Sequence, residues 1–182
     1  MLNGLFGKEK RKEKMKDPKF VHLRVHTAYS LAESTIMLKD KTKMDLMKKL
    51  KETGACAIAV TDSSNMFGAK AFSHFAADEG IKPILGCQFL LRNADSDDIM
   101  RSKGKELEPD KIVLLVMNDV GYGNIMKLMK RCYLDNTEKG WVPQLTLQNL
   151  IDFNEGLIAL TGGVEGPIGR LLLENRKEEA ED

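Results

Sequence analysis

A chain of 182 residues has room for one domain of ordinary size or part of a larger one, and its 42% apolar content supports a buried core. With 28 basic and 27 acidic residues the net charge is +1, so no global field selects nucleic acid as a partner. Cys56, Cys87 and Cys132 form no CxxC pair and no apolar run nears the roughly 20 residues of a membrane span, which argues against zinc, disulfides and a membrane, and for a reducing, cytoplasmic setting.

Residues 1–19 form the first segment; MLNGLFG is too short for a signal peptide, and KEKRKEKMKDPK (8–19) has no apolar periodicity. Glu9, Glu13 and Asp17 dilute its positive charge, so a solvated leader is favoured over a DNA-binding arm. From Phe20 the pattern becomes regular. FVHLRVH (20–26) reads as a strand, and Thr42 to Thr53 as a helix with Met44, Leu46, Met47 and Leu50 on one stripe, stopped by Gly54. AIAV (57–60) reads as a doubly buried strand ending in Thr61-Asp62. A helix over 66–79 follows, capped by Ser64 or Asn65 and ended by Gly80, with Phe67, Ala71, Phe72 and Phe75 inward.

IKPILGCQFLL (81–91) is the next strand, with Pro83 near its start, where a missing N–H does least harm. Residues 93–110 are polar and predict a long solvent loop. IVLLVM (112–117) is an all-apolar strand; GYGNIMKLMKRCYL is a helix with Ile125, Leu128, Met129 and Cys132 inward. A short helix over 146–153 leads to strand 156–161, and a last helix starts near Pro167 and runs into ENRKEEAED with no cap or breaker in sight. Alternating apolar strands and helices predict an α/β fold with a parallel sheet, barrel-like or doubly wound. Five strands do not close a barrel, so the segment 20–182 is expected to be the N-terminal part of a longer chain.

In such folds ligands gather at the C-terminal ends of strands. Those positions here hold Arg24 and His26, Asp62 and Ser63, Gln88, and Gly162-Gly163, with Lys111 opening its strand. The stretch HLRVHTAYS poses the question. HxH on a strand presents two imidazoles to one metal, but arginine stays protonated and cannot coordinate. His26, Asp62 and Glu33 remain as scattered candidate ligands around a fixed cation, too few for a strong transition-metal site. Other features carry bland readings: Asn65 and Gly68 as a capped helix start with close packing rather than a phosphate site, His74 as surface, Trp141 with Pro143 as a buried anchor, Gly162-Gly163 as a tight turn, and the methionines as core filling.

These residues resemble the N-terminal PHP (polymerase and histidinol phosphatase) domain of the bacterial replicative DNA polymerase III alpha subunit. FVHLRVHTAYSL resembles its opening motif, AIAVTDSSNMFGAKAF its TDHGNxxGAxxF segment, and GIKPILGCQF its GIKPIxGxE. IVLLVMNDVGYGNIMKLM resembles LLAxNxxGYxNLxxL, and GLIALTGGVEGPIGRLLL resembles GLIxLSGxxxGxIGxxL, so the likeness covers about Phe20 to Glu179. It implies a distorted TIM-like barrel, incomplete in this segment. Members with an intact site hold a metal cluster and can act as phosphoesterases or exonucleases.

Residue by residue, the departures outnumber the retained ligands. The first ligand of the HxH is Arg24 while His26 is kept, and the acidic residue after YSL is Glu33. Asp62 is kept, the histidine of TDH is Ser63, the glutamate of GIKPIxGxE is Gln88, the histidine opening the next strand is Lys111, and the cysteine of the SGC-type turn is Gly163. The resemblance therefore implies a vestigial site lined by Arg24, His26, Glu33, Asp62, Ser63, Gln88, Lys111 and Gly163, with no catalytic residue, no metal and no cofactor in this segment. Arg24 is expected to pair with Asp62 or Glu33. The implied role is a scaffold within a DNA-directed DNA polymerase, docking the proofreading exonuclease subunit and meeting other replicase subunits, with DNA held by downstream domains. The competing readings are a metal-dependent phosphoesterase or 3′–5′ exonuclease, and a small free-standing binding protein.

Overall fold

The computed structural model describes residues 20–38, 46–92, 108–134 and 142–181. The charged leader, the start of the first helix with Met44, most of the 93–110 loop and Trp141 lie outside the described residues. The elements in order are α1 (Leu46–Glu52), β1 (Ala57–Val60), α2 (Ala69–Asp78), β2 (Lys82–Leu91), β3 (Asp110–Val116), α3 (Asp119–Leu134), α4 (Leu147–Asp152), β4 (Leu157–Leu160), a 3-10 turn (Gly163–Glu165), α5 (Pro167–Leu173) and α6 (Lys177–Glu181). The class is mixed α/β. The chain divides into two compact units, residues 1–87 and 88–182, with the division falling inside β2.

In the first unit β1 pairs in parallel with the start of β2, in the register Ala57↔Lys82 to Val60↔Leu85. All of β1 is buried, as a short apolar run covered on both faces must be. Met47 and Leu50 of α1 and Phe72 and Ala76 of α2 are buried with it.

The segment 20–26, expected as a strand, is not one. It makes a single parallel bridge, His22↔Ile58, and lends carbonyls to Ala59 N–H and Thr61 N–H (2.8 Å each). Val25 N–H then donates to the Thr61 hydroxyl, 2.9 Å, so a side chain has taken an acceptor position that a β-ladder gives to backbone. Helix α2 also starts later than expected. The Asn65 side-chain carbonyl accepts from Phe67 N–H at 3.2 Å and Ser64 lies at φ +51°, so these residues build a turn ahead of a helix whose N-cap is Gly68. Phe67 is therefore outside the helix and 75% exposed, its ring edge-on to Tyr29, instead of facing the core. Gly68 is closely packed as expected: a Cβ there would lie 3.0 Å from Leu38 Cδ1.

In the second unit β3 and β4 are antiparallel, Val113↔Leu160 to Val116↔Leu157, which corrects the all-parallel expectation. A single helix would return the chain to the end where β3 began. Here two helices intervene, and the chain arrives at Gly156 beside the finish of β3, where Met117 N–H donates to the Gly156 carbonyl at 3.0 Å. Gly156 (φ +73°) lies against Gly121 in the first turn of α3; a Cβ on Gly121 would sit 1.8 Å from the Gly156 oxygen. Leu157–Leu160, within the expected strand 156–161, is only half-covered, with Ile158 46% exposed.

Helix α4 starts on a reciprocal capping box between Thr146 and Asn149, which matters because the first four N–H groups of a helix have no intrahelical partner. The last helix is not continuous. Asn175 adopts φ +60°, with Arg176 N–H donating to Leu171 O (2.9 Å) and Asn175 N–H to Leu172 O (3.1 Å). That is a Schellman ending with asparagine in the left-handed position, a breaker the sequence reading overlooked. No helix among the described residues is long and apolar enough to cross a membrane.

Candidate functional site

The residues singled out in the first unit gather where β1 ends. Asp62 follows β1 and is buried, 2% exposed. A carboxylate there requires strong donors. Thr27 N–H and the Ser30 hydroxyl both donate to its Oδ1 at 2.6 Å, and the Thr27 hydroxyl donates to Oδ2 at 2.8 Å.

The donors converge because the chain turns tightly after His26. Ser30 N–H donates to Thr27 O, Glu33 N–H to Ser30 O, and Ala28 N–H to Ile36 O. The Ser34 hydroxyl donates to the His26 carbonyl at 2.8 Å and accepts from Ile36 N–H. Ala32 takes φ +65° within this turn.

Ser63 links the two halves of the site. Its N–H donates to Ser30 Oγ at 3.0 Å and its hydroxyl donates to Glu33 Oε2 at 2.6 Å. The same Glu33 oxygen lies 2.8 Å from His26 Nδ1. An unbroken hydrogen-bonded chain thus runs Asp62, Ser30, Ser63, Glu33, His26. The Cys87 thiol donates to the Asp62 carbonyl at 3.2 Å, tying the backbone from β2.

Arg24 is exposed. Asp62 accepts from Thr27 and Ser30, and Glu33 Oε2 accepts from Ser63 and lies beside His26 Nδ1.

In the second unit, Gln88 is buried within β2. Lys111 in β3 pairs with Glu165 in the 3-10 turn, Nζ to Oε1 2.6 Å. Gly163, at φ +62°, is in the left-handed region that glycine adopts most readily. One residue before Lys111, Asp110 is buried and accepts from Arg170 Nε at 3.0 and 3.2 Å. Arg170 also reaches Glu174, which Arg176 contacts at 3.0 Å before bonding Glu179. Arg176 and Arg170 hold the Glu174 carboxyl below its ordinary range against the opposing effect of burial.

The residues present do not match the metal cluster that the resemblance implies for members with an intact site. Among the described residues no group of three His, Cys, Asp or Glu could hold a metal ion. Both oxygens of Asp62 and Oε2 of Glu33 are engaged by donors, and His26 Nδ1 faces Glu33. His26 Nε2 is the buried side-chain nitrogen left without a partner among the described residues. His26 Nε2 and the second Glu33 oxygen together do not reach the three or more ligands such a site needs. Sequence reasoning missed Thr27, Ser30 and Glu165. The first two had a signal, hydroxyls at a three-residue spacing in TAYS; Glu165 had none beyond its turn.

A family model described as PHP domain matches residues 22–182. The chain belongs to the PHP domain family. Its relatives include the DNA polymerase III subunit alpha of Vibrio cholerae serotype O1, 35% identical over 170 residues, covering 92% of this chain and 13% of that protein. The protein of the same name from Pseudomonas fluorescens is 38% identical, covering 89% of this chain and 12% of the relative. That of Escherichia coli O6:H1 is 37% identical, covering 87% and 12%. This PHP chain thus spans about an eighth of the length of the curated relatives it matches.

Proposed function

We propose that this PHP chain is the N-terminal segment of a replicative, cytoplasmic DNA polymerase III alpha subunit, whose parent chain adds deoxynucleotides to a primer on a DNA template. Within it the segment is a scaffold that works without metal and docks the proofreading exonuclease subunit, alongside other replicase subunits. The name carried by the relatives supports the parent activity. The single observation that supports the scaffold role is the engagement of Asp62 and Glu33 by hydroxyls and imidazole, which occupies ligand atoms that hydrolysis through metal would need.

A second reading, a metal-dependent phosphoesterase or 3′–5′ exonuclease, draws on the unpartnered His26 Nε2. The test uses the full-length protein carrying this chain. Expected are template-dependent primer extension, substoichiometric zinc and manganese by elemental analysis, no removal of 3′ nucleotides by the protein alone, and co-elution with the purified proofreading subunit. Stoichiometric metal with 3′ nucleotide removal that is lost in His26→Ala overturns the scaffold role in favour of the second reading. Absence of primer extension overturns the parent activity.

A further inference from the structure

We propose that Ser63 is the hub of a hydroxyl clasp that fastens the 26–34 turn to the end of β1, performing the mechanical part of a metal ion's work without the metal. The proposal rests on the metal-free reading above and assigns positioning roles to Thr27, Ser30 and Ser63.

A metal in such a place does two separable things: it supplies charge for chemistry, and it draws carboxylates from distant segments onto one point. The second survives here. Asp62 and Glu33 come from segments about 30 residues apart, and Ser63 joins them from its two ends, backbone N–H through Ser30 to Asp62 and hydroxyl to Glu33. Ser30 Oγ accepts from Ser63 while donating to Asp62, so each bond polarises the next. Both O–H to carboxylate distances are 2.6 Å, in the range of charge-assisted bonds.

A second observation is independent of these bonds. Two non-glycine residues in the left-handed region, Ala32 (φ +65°) and Ser64 (φ +51°), bracket the clasp. Each conformation costs stability and persists only where the surroundings over-determine it. Without the ties to Ser63 the 26–34 turn would relax.

Amide hydrogen exchange on the full-length protein tests this. Wild type is measured with and without EDTA and with added manganese or zinc, beside Ser63→Ala, Ser63→Thr, Ser30→Ala and Glu33→Gln. Exchange over 27–36 should be indifferent to EDTA and to either metal, rise about tenfold in Ser63→Ala and Ser30→Ala, and stay near wild type in Ser63→Thr, which keeps a hydroxyl. Glu33→Gln, which preserves shape but weakens the acceptor, should raise it about threefold and serves if Ser63→Ala fails to fold. Wild-type exchange in Ser63→Ala or Glu33→Gln, in protein free of metal, overturns the clasp and leaves the metal-free reading standing. Faster exchange on adding EDTA, with stoichiometric metal found beforehand, overturns both.

Discussion

Replacing Arg170 by alanine should be among the most damaging single changes in the second unit. Its Nε lies 3.0 and 3.2 Å from the two oxygens of Asp110, whose side chain is only 5% exposed. The first unit offers a comparison at the same distance: Lys51 Nζ to Glu79, 3.0 Å, with side chains 63% and 41% exposed. Coulomb attraction at equal separation differs between them only through the surroundings. An exposed pair contributes about 0–1 kcal/mol. Removing one partner of a buried pair costs about 3–5 kcal/mol, because the other charge stays where water cannot solvate it. Arg170 is itself 21% exposed, which places the expected cost near the lower end, about 3 kcal/mol. For a chain of this size that is a fall of about 6–12 °C in midpoint. Thermal unfolding of the chain followed by far-UV circular dichroism gives the number. The control is Arg170→Met combined with Asp110→Asn, which removes both charges and should recover most of the loss, since a neutral pair leaves no buried ion. A cost under about 1 kcal/mol for Arg170→Ala, or a double variant no better than the single, refutes the assignment of the loss to the buried charge of Asp110.

Three further outcomes follow from local geometry. Gly121→Ala drives a Cβ against the Gly156 carbonyl and should cost about 3 kcal/mol or more, whereas Gly123→Ala in the same helix meets nothing within 4 Å and should stabilise by up to about 1 kcal/mol; urea unfolding of both checks the contrast. Burial pushes the Cys132 thiol up to about 12, so at pH 8 only about one molecule in ten thousand holds the thiolate, and iodoacetamide should label half-exposed Cys56 long before Cys132 in peptide mapping. The Glu174 carboxyl titrates below its ordinary 4.5 because Arg176 and Arg170 hydrogen-bond it, so its contribution is complete above that value and is lost as pH falls through the folded-state value; the difference in midpoint between wild type and Glu174→Gln should close on acidification below pH 4.5.

Much of the fold was legible because continuous apolar runs and helical stripes report burial directly: β1, β2, β3 and α3 stand close to where periodicity put them. Two misses share a cause, a polar side chain bonding the backbone, which a pattern of apolar residues does not encode: Thr61 replaced a ladder acceptor beside 20–26, and Asn65 delayed α2 and exposed Phe67. Asn175 ended α5 through its left-handed backbone, which an apolar pattern does not report either. The direction of β4 had no local signature: the close contact that accompanies it joins Gly121 and Gly156, 35 residues apart.

Within the first unit His26, Glu33, Asp62 and Ser63 could be named from the sequence, and the structure brings these four together; Thr27 and Ser30, which bond Asp62, were not. Pairing was assigned by charge, cation to carboxylate, and a charge pattern does not report short neutral donors. A guanidinium brings a full charge at the end of a long, entropically costly side chain, whereas Thr27, Ser30 and Ser63 bring neutral donors already held by the turn, 2.6 to 2.8 Å from the carboxylates. In the second unit Lys111 pairs with Glu165 of the adjoining turn. Asp62 and Glu33 thus have structural partners of their own, and it is those partners that make the Asp62 end of the first unit's site a joint.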